Sequence, residues 1–190
     1  MSISNDIILT CDDENRRAGF KRLFAIDQTQ ITDFTAGALQ DYTAVTVVTA
    51  ATDFFQEIQF DEFGCSYAGE SSKENGSSTI EHTVEAVIPK MEKVKGLVIQ
   101  ELFTSCRLIL VAETFISTGN FNQAFVIGFD EILGSTAALT AAVNGAIEAE
   151  LAGQNAYTVS MKGMGAEVIR EFVGSIPTSA LGATTEDFGS

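Results

Sequence analysis

The sequence predicts a mainly β domain of the α+β class, a sandwich or barrel of short antiparallel strands with one flanking α-helix. Three observations lead to this prediction. Apolar and polar residues alternate in many short segments, turn-forming residues separate those segments, and a single stretch has the period of an amphipathic helix. The 190 residues suit one domain, which we place at residues 1–173 and expect to contain about eight to ten strands. Residues 174–190 are expected to form an extended C-terminal arm.

A strand, a helix and a second strand occupy residues 79–116 and form the clearest local pattern. Side chains from 79 to 88 alternate between apolar and polar, as in a strand that is buried on one face. Pro89 then ends this strand, because proline cannot donate a backbone hydrogen bond. Residues 107–116 are apolar on nearly both faces, which is typical of a buried strand. We expect the two strands to belong to one sheet system.

The helix is predicted at residues 91–105 by an apolar stripe at helical spacing. The stripe consists of Met91, Val94, Val98 and Leu102, with Leu97 beside them. We expect the helix to pack on the sheet through Val94, Val98 and Leu102.

The remaining strands follow from shorter segments of the same kind. They are predicted at residues 20–26, 31–34, 44–49, 54–60, 123–130 and 167–173. Residues 117–122 (STGNFN) are predicted to form a turn, so that 123–130 pairs with 107–116 in a hairpin. Two interpretations remain open further along the chain. Alternation predicts a hairpin of strands 145–151 and 156–163, whereas alanine content favours a helix over 136–151.

Residues 64–78 interrupt the strand pattern and are rich in Gly, Ser and Asn. We interpret them as a long inserted loop or a floppy hairpin. Such a loop is uncommon without a function, so it is a candidate for contact between subunits. The candidate contact residues are Tyr67, Glu70, Lys73 and Glu74. We expect this loop and the arm 174–190 to be mobile in the free subunit and ordered against neighbouring subunits.

The chain is strongly acidic, with a net charge of −15 and acids distributed over both halves. Such a surface repels nucleic acid and anionic membranes unless the charges are segregated in three dimensions. Because no apolar run approaches the length of a transmembrane helix and no signal-peptide pattern opens the chain, we expect neither feature. Cys11, Cys65 and Cys106 are widely spaced without a CxxC motif, which favours free thiols over disulfides or zinc.

Residues that could form an active site are few. The single histidine, His82, lies on the apolar face of its predicted strand, where a core or interface histidine is more common than a catalytic one. Paired acids such as Asp130 and Glu131 follow a strand, which is typical of solvated turns. The chain has no GxSxG motif, Walker loop or dinucleotide fingerprint. The sequence therefore predicts no catalytic residue, no cofactor and no metal site, and the protein is not expected to be an enzyme.

Several segments of the chain resemble virion structural proteins of tailed bacteriophages, particularly phages of Bacteroidetes hosts. The N-terminal LTCDDENRRAGFKRLFAIDQTQITDFT has a Cys-containing turn that leads through Gly and basic residues to a strand. The same order of elements continues with TIEHTVEAVIPK, a helix, RLILVAE, QAFVIGFDE and YTVSMKGMGAE. The family's turn before QAFVIG commonly contains Asn-Gly, so STGNFN predicts a longer hairpin loop here.

This resemblance implies a tail-tube-type subunit, a sandwich or barrel that assembles into stacked rings and has no catalytic residues. The implied partners are other copies of the chain in a homo-hexamer and further tail or neck proteins. DNA would pass through without specific binding, no membrane is involved, and the location would be the virion tail after assembly in the host cytoplasm. A neck or collar adaptor ring of the same fold is the alternative, and an enzyme built from scattered acids is a third hypothesis. Because acids would repel passing DNA, Glu148 and Glu150 are candidate lumen-facing residues.

Overall fold

The computed structural model describes residues 19–38, 41–60, 64–74, 77–89, 93–105, 107–118, 121–147, 155–179 and 184–188. Within them the strands are β1 (Phe20–Asp27), β2 (Ile31–Ala36), β3 (Tyr42–Val47), β4 (Gln56–Ile58), β5 (Cys65–Glu74), β6 (Ser77–Pro89), β7 (Leu108–Thr118), β8 (Phe121–Ile127), β9 (Thr140–Ile147), β10 (Asn155–Gly165), β11 (Arg170–Phe172), β12 (Ser175–Pro177) and β13 (Thr185–Asp187). The α-helix is α1 (Lys93–Thr104), and short 3-10 helices lie at Gln28–Gln30 and Ser135–Ala137.

The strands form three open sheets, so the predicted mainly β class is confirmed and the barrel alternative is not realised. The larger sheet has seven strands in the order β2-β3-β11-β8-β7-β1-β4, and a second has four in the order β5-β6-β10-β9. β12 and β13 form a small third sheet. Pairing between the described strands is antiparallel except between β3 and β11.

A first hydrophobic core lies between the seven-stranded and four-stranded sheets. Its members on the two sheets include Leu23, Ala25, Leu110, Ala112, Val84, Ala86, Val159 and Met161. Side chains at alternate positions of each strand reach this core, because successive residues of a strand point to opposite faces. The packing is that of a β-sandwich, as expected from the alternation.

A second core covers the opposite face of the seven-stranded sheet and includes residues of β12–β13 and the segment that follows. Ile176 is fully buried there, and the ring of Phe188 contacts Phe24 and Phe172 with centroid distances of 5.9 and 5.8 Å. The prediction of an extended arm at 174–190 is therefore wrong for its described residues, which pack on the domain, whereas mobility of this segment in the free subunit stays a prediction. Small and polar residues dominate this segment, but two well-placed apolar side chains are enough to anchor a two-stranded hairpin.

The two strands on either side of α1, β6 and β7, lie in different sheets. β6 alternates as predicted, with Val84, Ala86 and Ile88 buried and its charged residues exposed. However, β6 belongs to the four-stranded sheet and β7 to the seven-stranded sheet, so the expectation of one sheet system is wrong. The helix between them crosses from one layer of the sandwich to the other.

The helix α1 occurs where it was predicted, but its buried face differs. Leu102 is buried as expected, and Ile99 is buried with it in the first core. Leu97 is exposed to 59%, because it lies on the other side of the helix from Ile99. The side chains of Met91, Val94 and Val98 lie outside the described residues.

The predicted hairpins are confirmed, with changes at their ends. β9 pairs with β10 from Thr140 onward, so the alternative of a helix over 136–151 is wrong. β7 pairs with β8 as far as Thr118 and Phe121, so both strands extend into the predicted turn. The prediction of a longer hairpin loop is therefore wrong. Residues 65–74 form β5, which pairs with β6, so of the two interpretations of residues 64–78 the hairpin is confirmed and the loop is wrong. The preference of Gly and Ser for turns is weak, and the hydrogen bonds between β5 and β6 outweigh it.

Candidate functional site

The β5–β6 hairpin extends beyond the rest of its sheet. Its strands pair continuously from Cys65 with Ala86 to Glu74 with Ser77. The ladder between β6 and β10 ends earlier, at Ile80 with Gly165. The last part of the hairpin therefore has two strands only. β5 is also an edge strand, so one row of its backbone groups is not paired within this sheet.

The candidate contact residues occupy different positions on this hairpin. Glu70 and Lys73 are exposed, as a contact role requires. Tyr67 is partly buried against the first core, so its side chain supports the hairpin base. Glu74 is the last residue of β5, and its side chain lies outside the described residues.

Tyr67 is joined to the only histidine of the chain. The Tyr67 hydroxyl lies 2.8 Å from Nδ1 of His82, which is buried in the sheet interior. Burial lowers the pKa of His82, and a hydrogen bond to the backbone of Glu167 and the charge of Asp130 oppose this shift only in part. The imidazole is therefore neutral at pH 7. The expectation of a hydrogen-bonded core histidine is confirmed.

Gly165 and Asp130 close the other side of the imidazole. A Cβ atom at position 165 would lie 2.7 Å from Nε2 of His82 and 3.2 Å from Oδ2 of Asp130, so only glycine fits there. Asp130 is buried and accepts hydrogen bonds from the backbone N–H groups of Leu133 and, at 2.9 Å, Ala166. The prediction of a solvated turn acid is therefore wrong for Asp130, which is buried and joins its own turn to a distant segment at Ala166.

Two members of the cluster of Tyr67, His82 and Asp130 are shielded from solvent. The imidazole and the carboxylate are both nearly inaccessible to solvent. General acid–base catalysis requires a group within hydrogen-bond reach of the reacting atoms. We assign these residues to the joining of β5, β6 and the segments that follow β8 and β10.

A buried carboxylate joins four strands at another place. Glu113 of β7 is bonded to Arg22 and to Lys21, the latter at 3.1 Å, and it accepts a hydrogen bond from Asn122 of β8. Arg22 also pairs with Glu186 of β13 at 3.0 Å. Burial would raise the pKa of Glu113, but the three hydrogen bonds outweigh it and hold that pKa below its ordinary value. The charge of Glu113 therefore has a structural role. The periodicity of apolar residues in the sequence does not indicate this role.

The outer face of the four-stranded sheet is acidic. Glu81 and Glu85 point outward from β6, and Glu70 lies directly opposite Glu81 on β5. Lys162 of β10 is 3.7 Å from Glu81. Like charges that face each other across strands cost stability, and the pairing with Lys162 offsets part of this cost at Glu81. The predicted lumen residues Glu148 and Glu150 lie outside the described residues.

Two adjoining hollows separate α1 from the edge strand β4. Their volumes are about 400 and 170 Å³, and both are lined by Glu57, Ile58 and Leu102. The larger hollow is lined by apolar and amide side chains together with the carboxylates of Asp27, Glu57 and Glu101, and the smaller one adds Lys95. Within the described residues, no His, Cys, Asp and Glu side chains converge in threes to hold a metal ion.

No helix among the residues that the structure describes has the length and apolar character to cross a membrane. Comparison of the chain with protein-family models, curated proteins and solved structures finds no match.

Proposed function

We propose that this protein is a virion structural subunit of the tail-tube type, whose copies assemble into stacked rings around the path of the DNA. The observation that supports it most directly is the two-stranded end of the β5–β6 hairpin, which projects past β10. A two-stranded ribbon is marginally stable in water, so a projection of this length gains its full order by packing on another molecule. The resemblance of the sequence to tailed-phage virion proteins supports this class of assembly.

The edge strand β5 offers a second means of contact. Its exposed side chains are small or polar, and the unpaired row of backbone groups can accept a strand from a neighbouring copy. Glu70 and Lys73 place opposite charges on this strand, which can set the register between neighbouring copies.

The acidic outer face of the four-stranded sheet supplies the wall of the DNA path. Glu81 and Glu85 on that face would repel phosphates, and repulsion lets DNA pass without being held. The open face of a sheet can form such a wall when copies stand side by side in a ring.

Electron microscopy of the purified protein tests this proposal. Tubes are expected, and stacks of short tubes would also support it. Single rings that never stack would favour a neck or collar adaptor of the same fold instead. A chain that stays monomeric at every concentration at which it is soluble would contradict both assignments.

A shortened hairpin tests the observation on which the proposal depends. Ser71 and Ile80 are cross-strand partners, so residues 72–79 can be replaced by Asn-Gly, which closes a two-residue hairpin turn. The variant should keep the thermal stability of the parent chain, because the removed residues lie beyond the ladder with β10. It should lose the tubes. Glu57→Gln on the exposed surface of β4 is the matched control, and tubes of normal length from the shortened variant would contradict the role of the hairpin.

A further inference from the structure

Two loops present large apolar side chains to solvent. The first loop follows β8 and contains Ile132 and Leu133, which are exposed to 69% and 42%. The second loop joins β10 to β11 and contains Val168, which is exposed to 69%. We call these three residues the loop patch. Single exposed apolar residues are common, whereas three on two adjoining loops indicate an interaction surface.

Hydrogen bonds to the buried Asp130 and to the more exposed Glu167 fix these loops against each other. Asp130 bonds the backbone N–H of Leu133 in the first loop and that of Ala166 in the second. Glu167 of the second loop accepts a hydrogen bond of 3.0 Å from the backbone N–H of Glu131 in the first. The loop patch is therefore held in one arrangement before any partner binds, which lowers the entropy cost of binding.

Arg170 forms ion pairs with both loops and so stabilises the same arrangement. Its guanidinium pairs with Glu131 at 2.8 Å and with Glu167 at 2.7 Å, one on each loop. The guanidinium also lies over the ring of Tyr42 at 5.4 Å from its centroid. Its side chain is largely buried, so the arginine holds the loops and is not itself offered to a partner.

An acidic hollow adjoins the loop patch at Val168. Its volume is about 420 Å³, and its lining includes the carboxylates of Asp41, Glu167 and Glu171 with the single cation of Arg170. The hollow therefore has a net negative charge. A partner that covers the patch would gain by placing a cation in this hollow.

The outer face of α1 has the complementary character. Leu97 and Phe103 are exposed to 59% and 57%, and Gln100 lies between them at three residues from each. Lys93 is one helical turn before Leu97 on the same face and is also exposed. We call these four residues the helix face. It combines two large apolar side chains with a cation on a four-carbon stem.

We propose that the helix face of one copy docks on the loop patch of a second copy, with Lys93 directed into the acidic hollow. The inference rests on the proposed self-assembly, since the occupant is another copy of this chain. The contact is heterologous, because two different surfaces of the same molecule meet. A heterologous contact repeats from copy to copy and gives a ring when the rotation closes.

Charge reversal tests the pairing. Lys93→Glu alone and Glu171→Lys alone should each weaken self-association about threefold to fivefold, as measured by sedimentation at low salt. The chain that carries both substitutions should recover the association of the parent, because the two reversed charges attract again. Recovery in the double variant is a result that simple loss of folding or of net charge would not produce.

Apolar contacts are tested by the pair Ile132→Asp and Val168→Asp in one chain. This double variant should associate at least about tenfold more weakly, since two carboxylates would lose water at the interface. Val48→Asp is the control, because Val48 is also well exposed, at 58%, on a different part of the chain. The control should associate as the parent does.

Two results would overturn the inference. The first is unchanged association of the Ile132→Asp and Val168→Asp chain with its thermal stability intact. The second is failure of the Lys93→Glu and Glu171→Lys chain to recover when both single variants are weakened. The shortened hairpin separates the two proposals. Loss of tubes in that variant, together with parent-like association of the charge variants, would support the proposed function without this inference. Single rings that never stack but show the charge coupling would support this inference without the proposed tube.

Discussion

The carboxylate of Glu113 is buried between cations that lie far away in the sequence. Its partners on β1 are about ninety residues away, and the salt bridge of Arg22 to Glu186 extends the network to β13. A buried charge is tolerated only when its partners are present, because desolvation must be offset by hydrogen bonds. The contribution of Glu113 and Arg22 to the stability of the fold therefore depends on the presence of both charges.

Glu113→Ala should lower the free energy of unfolding by about 2–4 kcal/mol, since the change leaves Arg22 and Asn122 without their acceptor. Urea unfolding of the purified chain measures this value. Glu57→Ala, at an exposed position of β4, is the control and should change it by less than about 0.5 kcal/mol. Equal values for the two variants would contradict the buried network.

His82 should make the fold less stable in mild acid. Burial lowers its pKa below the ordinary value of 6.5, so the folded chain binds fewer protons than the unfolded chain. The contribution of a neutral His82 is fully present above pH 6.5 and is lost as the pH falls from 6.5 through the lowered pKa. Urea unfolding at pH 7.5 and at lower pH should show a steeper loss for the parent than for His82→Gln. Parallel curves would show that this histidine does not titrate differently in the two states.

At the scale of elements, α1 differs most from its predicted packing. Its position and length agree with the apolar stripe, but Ile99 and Leu102 face the core while Leu97 faces solvent. Which face of a helix is buried depends on the sheets against which it packs. Here α1 lies beside edge strands of two sheets, since it contacts β9 of the four-stranded sheet and borders the hollows next to β4 of the seven-stranded sheet.

Ile99→Ala should destabilise the fold by about 2–5 kcal/mol, because it removes buried methyl groups and leaves a cavity. Leu97→Ala is the matched control on the same helix and should cost less than about 0.5 kcal/mol. Thermal or urea unfolding distinguishes the two. A larger loss for Leu97→Ala than for Ile99→Ala would place the opposite face of α1 against the core.

At the scale of the whole molecule, three surfaces differ in the charge and apolar character of their exposed side chains. The four-stranded sheet presents acids, the helix presents apolar side chains with Lys93, and the loops present apolar side chains beside an acidic hollow. A net charge of −15 alone agrees with an acidic lumen and also with plain solubility. The distinction requires knowledge of which acids share a face.

Glu81→Lys and Glu85→Lys in one chain should leave folding intact and cause assembled tubes to retain DNA. The substitution converts a repelling face into one that binds phosphates, and the retained DNA should be released by added salt. Glu57→Lys with Glu101→Lys provides the same change of charge at other exposed positions and should not retain DNA. Equal retention in both variants would show that net charge, and not the face of the four-stranded sheet, governs passage.

The sequence by itself determined the class of the fold, most strands and the place of the single helix. These properties follow from local periodicity, because a strand or helix exposes its pattern within a few residues. Tertiary structure decided the assignment of β6 and β7 to different sheets, the strand at 65–74 and the docking of Ile176 and Phe188. Pairing of strands and burial of Glu113 or Asp130 depend on partners that are distant in sequence, and residue pattern contains no information about which distant segment supplies the matching hydrogen bond.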